Sequence, residues 1–253
     1  MIQKLRKFGF FTKGFVYIII GILTFLTALN FGGKISDKNG VISFLENQIF
    51  GKVLLLILSL GLMSYALSRA YKFYDVLKNE DSNKKYIAAV NYLFRTFFYG
   101  SFAVSIFLKV FNKASSDVTK ETLVSRVLKI ENGNIILILI GAIFLGSAIN
   151  QFYKVISNSY LEDIKKSKNI ASFNVLKKTG AFGIFARGIS FLIFSWFIIS
   201  AAFYNNPQKI KGTQEMFSFL NSLTFGNILM AIMALGFVCY GVFQYFYGRY
   251  SNS

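Results

Sequence analysis

Six apolar stretches, at about residues 14–31, 51–71, 96–111, 134–153, 188–204 and 226–246, constrain this chain more than any other feature. A water-soluble fold has no way to hide six such runs, whereas about 20 apolar residues in a helix span a bilayer. The third and fifth are short and are expected to borrow length from their flanks. Composition agrees: 54% hydrophobic residues, a mean hydropathy of +0.51, and 30 Phe against a single Pro lie outside the soluble range. Met1 to Gly33, with Lys4, Arg6 and Lys7 ahead of an apolar core, resembles a leader. It has no A-x-A site, and the same pattern returns internally, so a retained helix is expected.

The apolar runs come in pairs, and the pair is written three times. FGFFTKGFVYIIIG, from Phe8, returns as NYLFRTFFYGSFAV from Asn91 and as FGIFARGISFLIFS from Phe182, each with one cation: Lys13, Arg95, Arg187. A shift of 82 aligns the first two repeats without a gap; shifts of 174 and 175 align the third, with one residue inserted in its outer loop. The chain therefore reads as one membrane domain, 1–253, duplicated as repeats 1–81, 86–165 and 174–253. Each repeat crosses twice, so all three share one orientation and are related about an axis along the membrane normal. The expected fold is an all-α membrane protein with six transmembrane helices as three parallel two-helix repeats with pseudo-three-fold symmetry.

Small residues recur in register. Gly14, Thr96 and Gly188 align in the first helix of each pair, and seven residues on so do Gly21, Ala103 and Ser195. In the second helix, Ser59, Gly141 and Ala234 align, and then Ala66, Ala148 and Gly241. Seven residues are two turns, so each helix carries one lean face, and close backbone approach at small residues is a main source of helix affinity in lipid. These twelve are expected packing positions.

The outer loops share a character. Val41, Ile42, Leu45 and Ile49, then Leu123, Val124, Val127 and Leu128, then Met216, Phe217, Leu220 and Leu223 fall at helical spacing. Each reads as a short amphipathic helix, lying on the outer surface or lidding the bundle. They end at Asn47–Gly51, Asn132–Gly133 and Thr224–Gly226, helix-stop chemistry in each case. Of the 28 Lys and Arg, 18 fall on the side of the termini and 10 on the other. The positive-inside bias then puts both termini in the cytoplasm and the protein in the bacterial inner (cytoplasmic) membrane.

The residues Lys13-Gly14, Arg187-Gly188, Gly61-Leu62 with Tyr65-Ala66, and Gly236 with Tyr240-Gly241 form a pattern that resembles the bacterial membrane family catalogued as domain of unknown function 1206. The resemblance covers nearly the whole chain and implies three tandem two-helix units. That family has no established activity, so it implies no mechanism. Repeat two departs from the pattern: Thr96 replaces the Gly, and Ile143 and Ser147 replace the Gly and Tyr.

Two aligned sets carry charge or polarity. Lys13, Arg95 and Arg187 stand where the apolar runs begin, at one depth. They either snorkel to headgroups as anchors or converge and hold an anionic group such as a phosphate or carboxylate. Arg69, Gln151 and Gln244, near the inner ends of the second helices, either satisfy one another or line the inner mouth of a cavity. Tyr17, Tyr99 and Phe191 align too and are expected to be interface anchors and core fillers.

Absences narrow the chemistry. There is no His, and Cys239 is the one Cys, so zinc, haem and iron–sulfur sites lack ligands. No Asp or Glu lies in the six apolar runs, which leaves a proton relay and a hydrolase without a base. The net charge of +17 sits in short connections and so reads as topology rather than nucleic-acid binding. The expected function is a non-enzymatic inner-membrane accessory or scaffold subunit acting by binding. The alternative is a transporter or channel for an anionic or amphipathic small molecule or lipid. No cofactor and no metal are expected; the candidate partners are the lipid bilayer, an anionic lipid and another membrane protein.

Overall fold

The cation-bearing runs are longer as helices than as apolar stretches. In a computed structural model, which describes residues 2–31, 41–42, 44–45, 51–79, 85–111, 120–162 and 173–250, six long helices carry the fold. They are α1 (Ile2–Ala28), α2 (Gly51–Asn79), α3 (Lys85–Val110), α4 (Gly133–Ile156), α5 (Phe173–Phe203) and α6 (Gly226–Tyr250). All six are long and apolar enough to cross a membrane, and no strand occurs among the described residues. The chain is a multi-pass membrane protein. The first helix of each pair starts ten or more residues before the expected edge, because hydropathy falls at a cation while the helical hydrogen-bond ladder does not. Left-handed asparagines mark helix ends, with positive φ at Asn30, Asn132, Asn158 and Asn205; among non-glycine residues, Asn tolerates this conformation best.

The short outer segments lid the bundle rather than lie apart from it. Val41, Ile42 and Leu45 are helical and buried in the main core. The helix Lys120–Leu128 buries Val124 with Leu137 of α4 and Ile198 and Ala202 of α5. In Thr213–Asn221, Met216 and Phe217 are wholly buried, and Phe217 packs edge-on to Phe237 of α6 at 5.3 Å. Glu215 accepts from the Gly212 N–H at 2.7 Å, which satisfies one otherwise open donor at the start of that helix. Ile49, Asn47, and the side chain of Leu123 lie outside the described residues.

The lean faces meet between repeats. Gly14 of α1 and Gly241 of α6 face each other so closely that a Cβ added to Gly14 would stand 2.6 Å from the Gly241 carbonyl oxygen, and one on Gly241 would stand 2.5 Å from that of Gly14. One level up, Gly21 faces the Ala234 carbonyl in the same way. At the α2–α3 contact, Ser59, Ala66 and Ala103 are buried, Thr96 is half-buried, and Ala66 approaches Gly100. At the α4–α5 contact, Gly188 receives the Phe152 ring, Ala148 is fully buried, and Ser195 Oγ donates to the Gly141 carbonyl at 2.8 Å. Ser195→Ala is expected to cost about 0.6 kcal/mol, the mean for an interhelical hydrogen bond in a membrane protein. Reversible unfolding in mixed micelles measures it, and a loss above about 2 kcal/mol would assign Ser195 a larger role.

Within repeats, two of the three pairs pack: α1 on α2, and α5 on α6. Both use the same device. Gly9 lies against the Tyr65 backbone and Gly61 against Thr12; Gly183 lies against the Tyr240 backbone and Gly236 against Ala186. Repeat two has Asn91 and Ile143 at the glycine positions and Ser147 at the tyrosine position, and α3 and α4 barely touch. The helices therefore follow the order α4, α5, α6, α1, α2, α3 around a bundle that is not closed between its first and last members. The expected three-fold repetition is not established at repeat two, and the lost glycines are the physical reason.

Candidate functional site

Lys13 and Arg95 each lie fifteen residues before the end of their helix, and Arg187 sixteen. At 1.5 Å per residue this is about 22–24 Å from the C-terminal ends of those helices, one common depth well inside them. The cations do not sit at the beginnings of the spans, as the hydropathy suggests, because the helices run on beyond them.

Lys13 is 5% exposed. Its ammonium stands 5.1 Å from the centre of the Tyr65 ring and 5.4 Å from the rings of Tyr99 and Tyr240. A buried ammonium held by three aromatic faces is not reaching for headgroups; each face attracts it through the ring quadrupole. The Arg187 guanidinium is 4.4 Å from the Tyr240 ring, 4.9 Å from Phe191 and 5.5 Å from Tyr17, and it donates to the Tyr240 hydroxyl. Arg95 is half-buried and within electrostatic reach of Tyr240. Lys13 and Arg187 thus meet on the ring of Tyr240, and Arg95 interacts with it electrostatically.

The tyrosines hold one another edge to face. Tyr65 meets Tyr99 at 4.7 Å and 71°, and Tyr17 meets Tyr240 at 4.9 Å and 75°, the geometry that aromatic quadrupoles prefer. Four helices, α1, α2, α3 and α6, supply these rings, and α5 supplies Arg187. Sequence reasoning assigns Tyr17, Tyr99 and Phe191 to anchoring and filling. A signal for the cluster is nevertheless present there, because Lys13–Tyr17, Arg95–Tyr99 and Arg187–Phe191 are all i, i+4 pairs that share a helix face.

Asp75 is the one acidic residue in the six long helices. It lies about 15 Å further along α2 than Tyr65 and within 3.9 Å of Lys72. A cavity of ≈ 30 Å³ opens beside Arg187, with Tyr17, Ser190 and Thr213 in its wall. It has room for about two waters, and Thr213 is the first residue of the short Thr213–Asn221 helix. Two cations on one ring can accept an anion, and a guanidinium with five N–H donors has more to offer than one phenol oxygen takes up.

The second aligned set is spread over separate helix contacts. Arg69 is buried, its guanidinium 5.0 Å from the rings of Phe10 and Tyr65, and its Nε has no hydrogen-bond partner among the described residues. Gln244 is buried beneath Gly14, and its Oε1 likewise lacks a partner among the described residues. Gln151 is half-buried on α4. Cys239 is half-buried within α6, and no group of three or more metal-ligating side chains occurs among the described residues.

Comparison with known proteins matches the family described as Domain of Unknown Function (DUF1206) to residues 8–74, 90–158 and 182–251. The uncharacterized protein YxxB of Bacillus subtilis (strain 168) is 27% identical over 99% of this chain and 92% of its own length. No solved structure matches the chain.

Proposed function

The chain belongs to the DUF1206 family, and from that premise we propose that it is a non-enzymatic membrane protein that works by binding an anionic group at Lys13, Arg95 and Arg187. The observation that carries this reading is that Lys13 and Arg187 share the Tyr240 ring, in helices whose one acidic residue, Asp75, stands about 15 Å further along α2 than Tyr65. A buried charge costs several kcal/mol unless something answers it. Aromatic faces answer part of that cost, and an incoming phosphate or carboxylate answers more.

Binding fits better than conduction. The space beside Arg187 is ≈ 30 Å³, and aromatic rings fill the rest of the cluster. An accessory or scaffold subunit that carries a bound anion, in contact with another membrane protein, accords with a packed core. Transport of the same anionic or amphipathic molecule is the second reading, favoured by a cavity that has both Arg187 and Thr213, the first residue of the short Thr213–Asn221 helix, in its wall. The excess of Lys and Arg on the side of the termini supports a cytoplasmic position for both, in the bacterial inner membrane. With no His in the chain, no group near the cluster has its ordinary pKa close to neutrality, which supports the non-enzymatic reading.

Native mass spectrometry of protein extracted gently from its own membrane tests the proposal. The wild type is expected to carry an anionic ligand that the folded triple variant Lys13→Gln, Arg95→Gln, Arg187→Gln lacks. Equal ligand content in the two would end the anion-binding reading.

A further inference from the structure

We propose that the open seam between α3 and α4 is a side entrance from the bilayer, and that its occupant is a lipid-sized amphiphile whose anionic head binds Arg95. The inference deepens the anion-binding reading and rests on it.

The seam is a specific defect in a repeated design. In repeats one and three, the first helix presents Thr12, or Ala186, to a glycine of its partner helix and carries Val16, or Ser190, one turn on, and all four are buried. The same positions in repeat two are Phe94 and Phe98, which are 54% and 47% exposed. On the facing helix, Gly61 and Gly236 correspond to Ile143, which is 61% exposed. Placing Phe94, Phe98 and Ile143 where the other repeats have smaller residues does two things. It removes the close backbone approach that holds the other two pairs together, and it lines the resulting gap with hydrocarbon.

Charge selects the occupant. Lys13 has three aromatic faces around it, and Arg187 has three with a hydroxyl. Arg95 has no hydrogen bond, ion pair or cation–π contact among the described residues, only its electrostatic reach to Tyr240. The tyrosine that would serve it by repeat symmetry is Ser147. Arg95 lies ten residues, about 15 Å, from the Lys85 end of α3 and about 22 Å from the other. A lipid of the nearer leaflet therefore has its head at the Arg95 level when it dips modestly into the seam, with its chain beside Phe94, Phe98 and Ile143. Arginine pairs with phosphate or carboxylate through parallel N–H bonds. A zwitterionic lipid meets the same apolar walls without the net attraction.

A single-tryptophan reporter tests this. Trp196 is the chain's one Trp and is well exposed on α5, so Trp196→Phe with Phe98→Trp places the reporter in the seam. The protein is reconstituted in phosphatidylcholine vesicles containing a minor fraction of either phosphatidylglycerol or phosphatidylcholine with brominated chains. The expected result is about fivefold preferential quenching by the anionic lipid, the size of effect that one cation near a lipid surface supplies. Adding Arg95→Gln is expected to remove the preference. Adding Asn91→Gly, Ile143→Gly and Ser147→Tyr, which restores the pattern of the other repeats, is expected to close the seam and reduce quenching by both lipids.

Equal quenching by the two lipids overturns the proposal, as does a preference that survives Arg95→Gln. Inorganic phosphate added in neutral detergent separates the two levels of inference. If phosphate stabilises the wild type through Arg187 while the lipid preference is absent, the seam falls and anion binding stands. If neither responds, both fall.

Discussion

Gly14→Leu is expected to prevent recovery of folded, monodisperse protein, and Gly241→Leu is expected to do the same. At each site the first atom an added Cβ meets is the other glycine's carbonyl oxygen, at 2.6 and 2.5 Å. Overpacking typically costs about 1–3 kcal/mol when neighbouring side chains can yield. Here the obstacle is backbone of a facing helix, so relief requires α1 and α6 to separate along their length. That contact joins the first and last helices of the chain and supports the level where Tyr17 meets Tyr240. Gly146→Leu is the matched control: nothing lies within 4 Å of a Cβ added there, and a leucine also favours the helix over a glycine. Size-exclusion profiles and thermal midpoints of the three variants in one detergent decide the matter. Normal folding of Gly14→Leu would mean that α1 and α6 do not cross at these glycines.

Much of this packing is legible in the amino-acid sequence, and for a definite reason. In lipid, small residues at fixed register are the main code for helix contact, so a seven-residue alignment of Gly, Ala and Ser across three repeats by itself picks out Gly14, Gly21, Ala234 and Gly241. The partner of each face is less legible. Nothing in the alignment says that α1 meets α6 through these faces and meets α2 through Gly9 and Gly61. The helix starts are also obscured, because hydropathy stops at a cation and the helix does not; Lys13 and Arg187 lie well inside their helices rather than at the starts for that reason. The aromatic cage is hidden by distance in sequence, since Tyr240 comes to Lys13 from the other end of the chain. The departures at Ile143 and Ser147 are visible as departures, but their effect on the α3–α4 contact emerges only against the packing of the other two repeats.

Arg187→Gln is expected to reverse the order of stability between variant and wild type as an anion is added. Without an anion, Arg187 holds its charge by three rings and the Tyr240 hydroxyl. Desolvated cation–π contacts contribute up to about 2 kcal/mol or more, set against the cost of half-burying the charge. Glutamine forgoes both terms, so the two proteins should lie within about 1 kcal/mol of each other, with the variant equal or ahead. With ligand at 100 times its Kd, binding to the folded state adds about 2.7 kcal/mol to the wild type and little to the variant. Chemical or thermal unfolding in neutral detergent, with inorganic phosphate and then phosphatidylglycerol as probes, reads the crossing. A variant that is less stable by the same amount in every condition would make Arg187 a structural tie between α5 and α6, with no ligand to explain its charge. A wild type that gains alone with either probe would make the cage a site in which the rings and the ligand share the work of holding one half-buried cation. The same logic extends to Lys13, whose ammonium shares the Tyr240 face, and not to Arg69. The aromatic contacts of Arg69 are with Phe10, Tyr65 and Tyr92 rather than with Tyr240. Arg69→Gln should therefore leave the anion response intact.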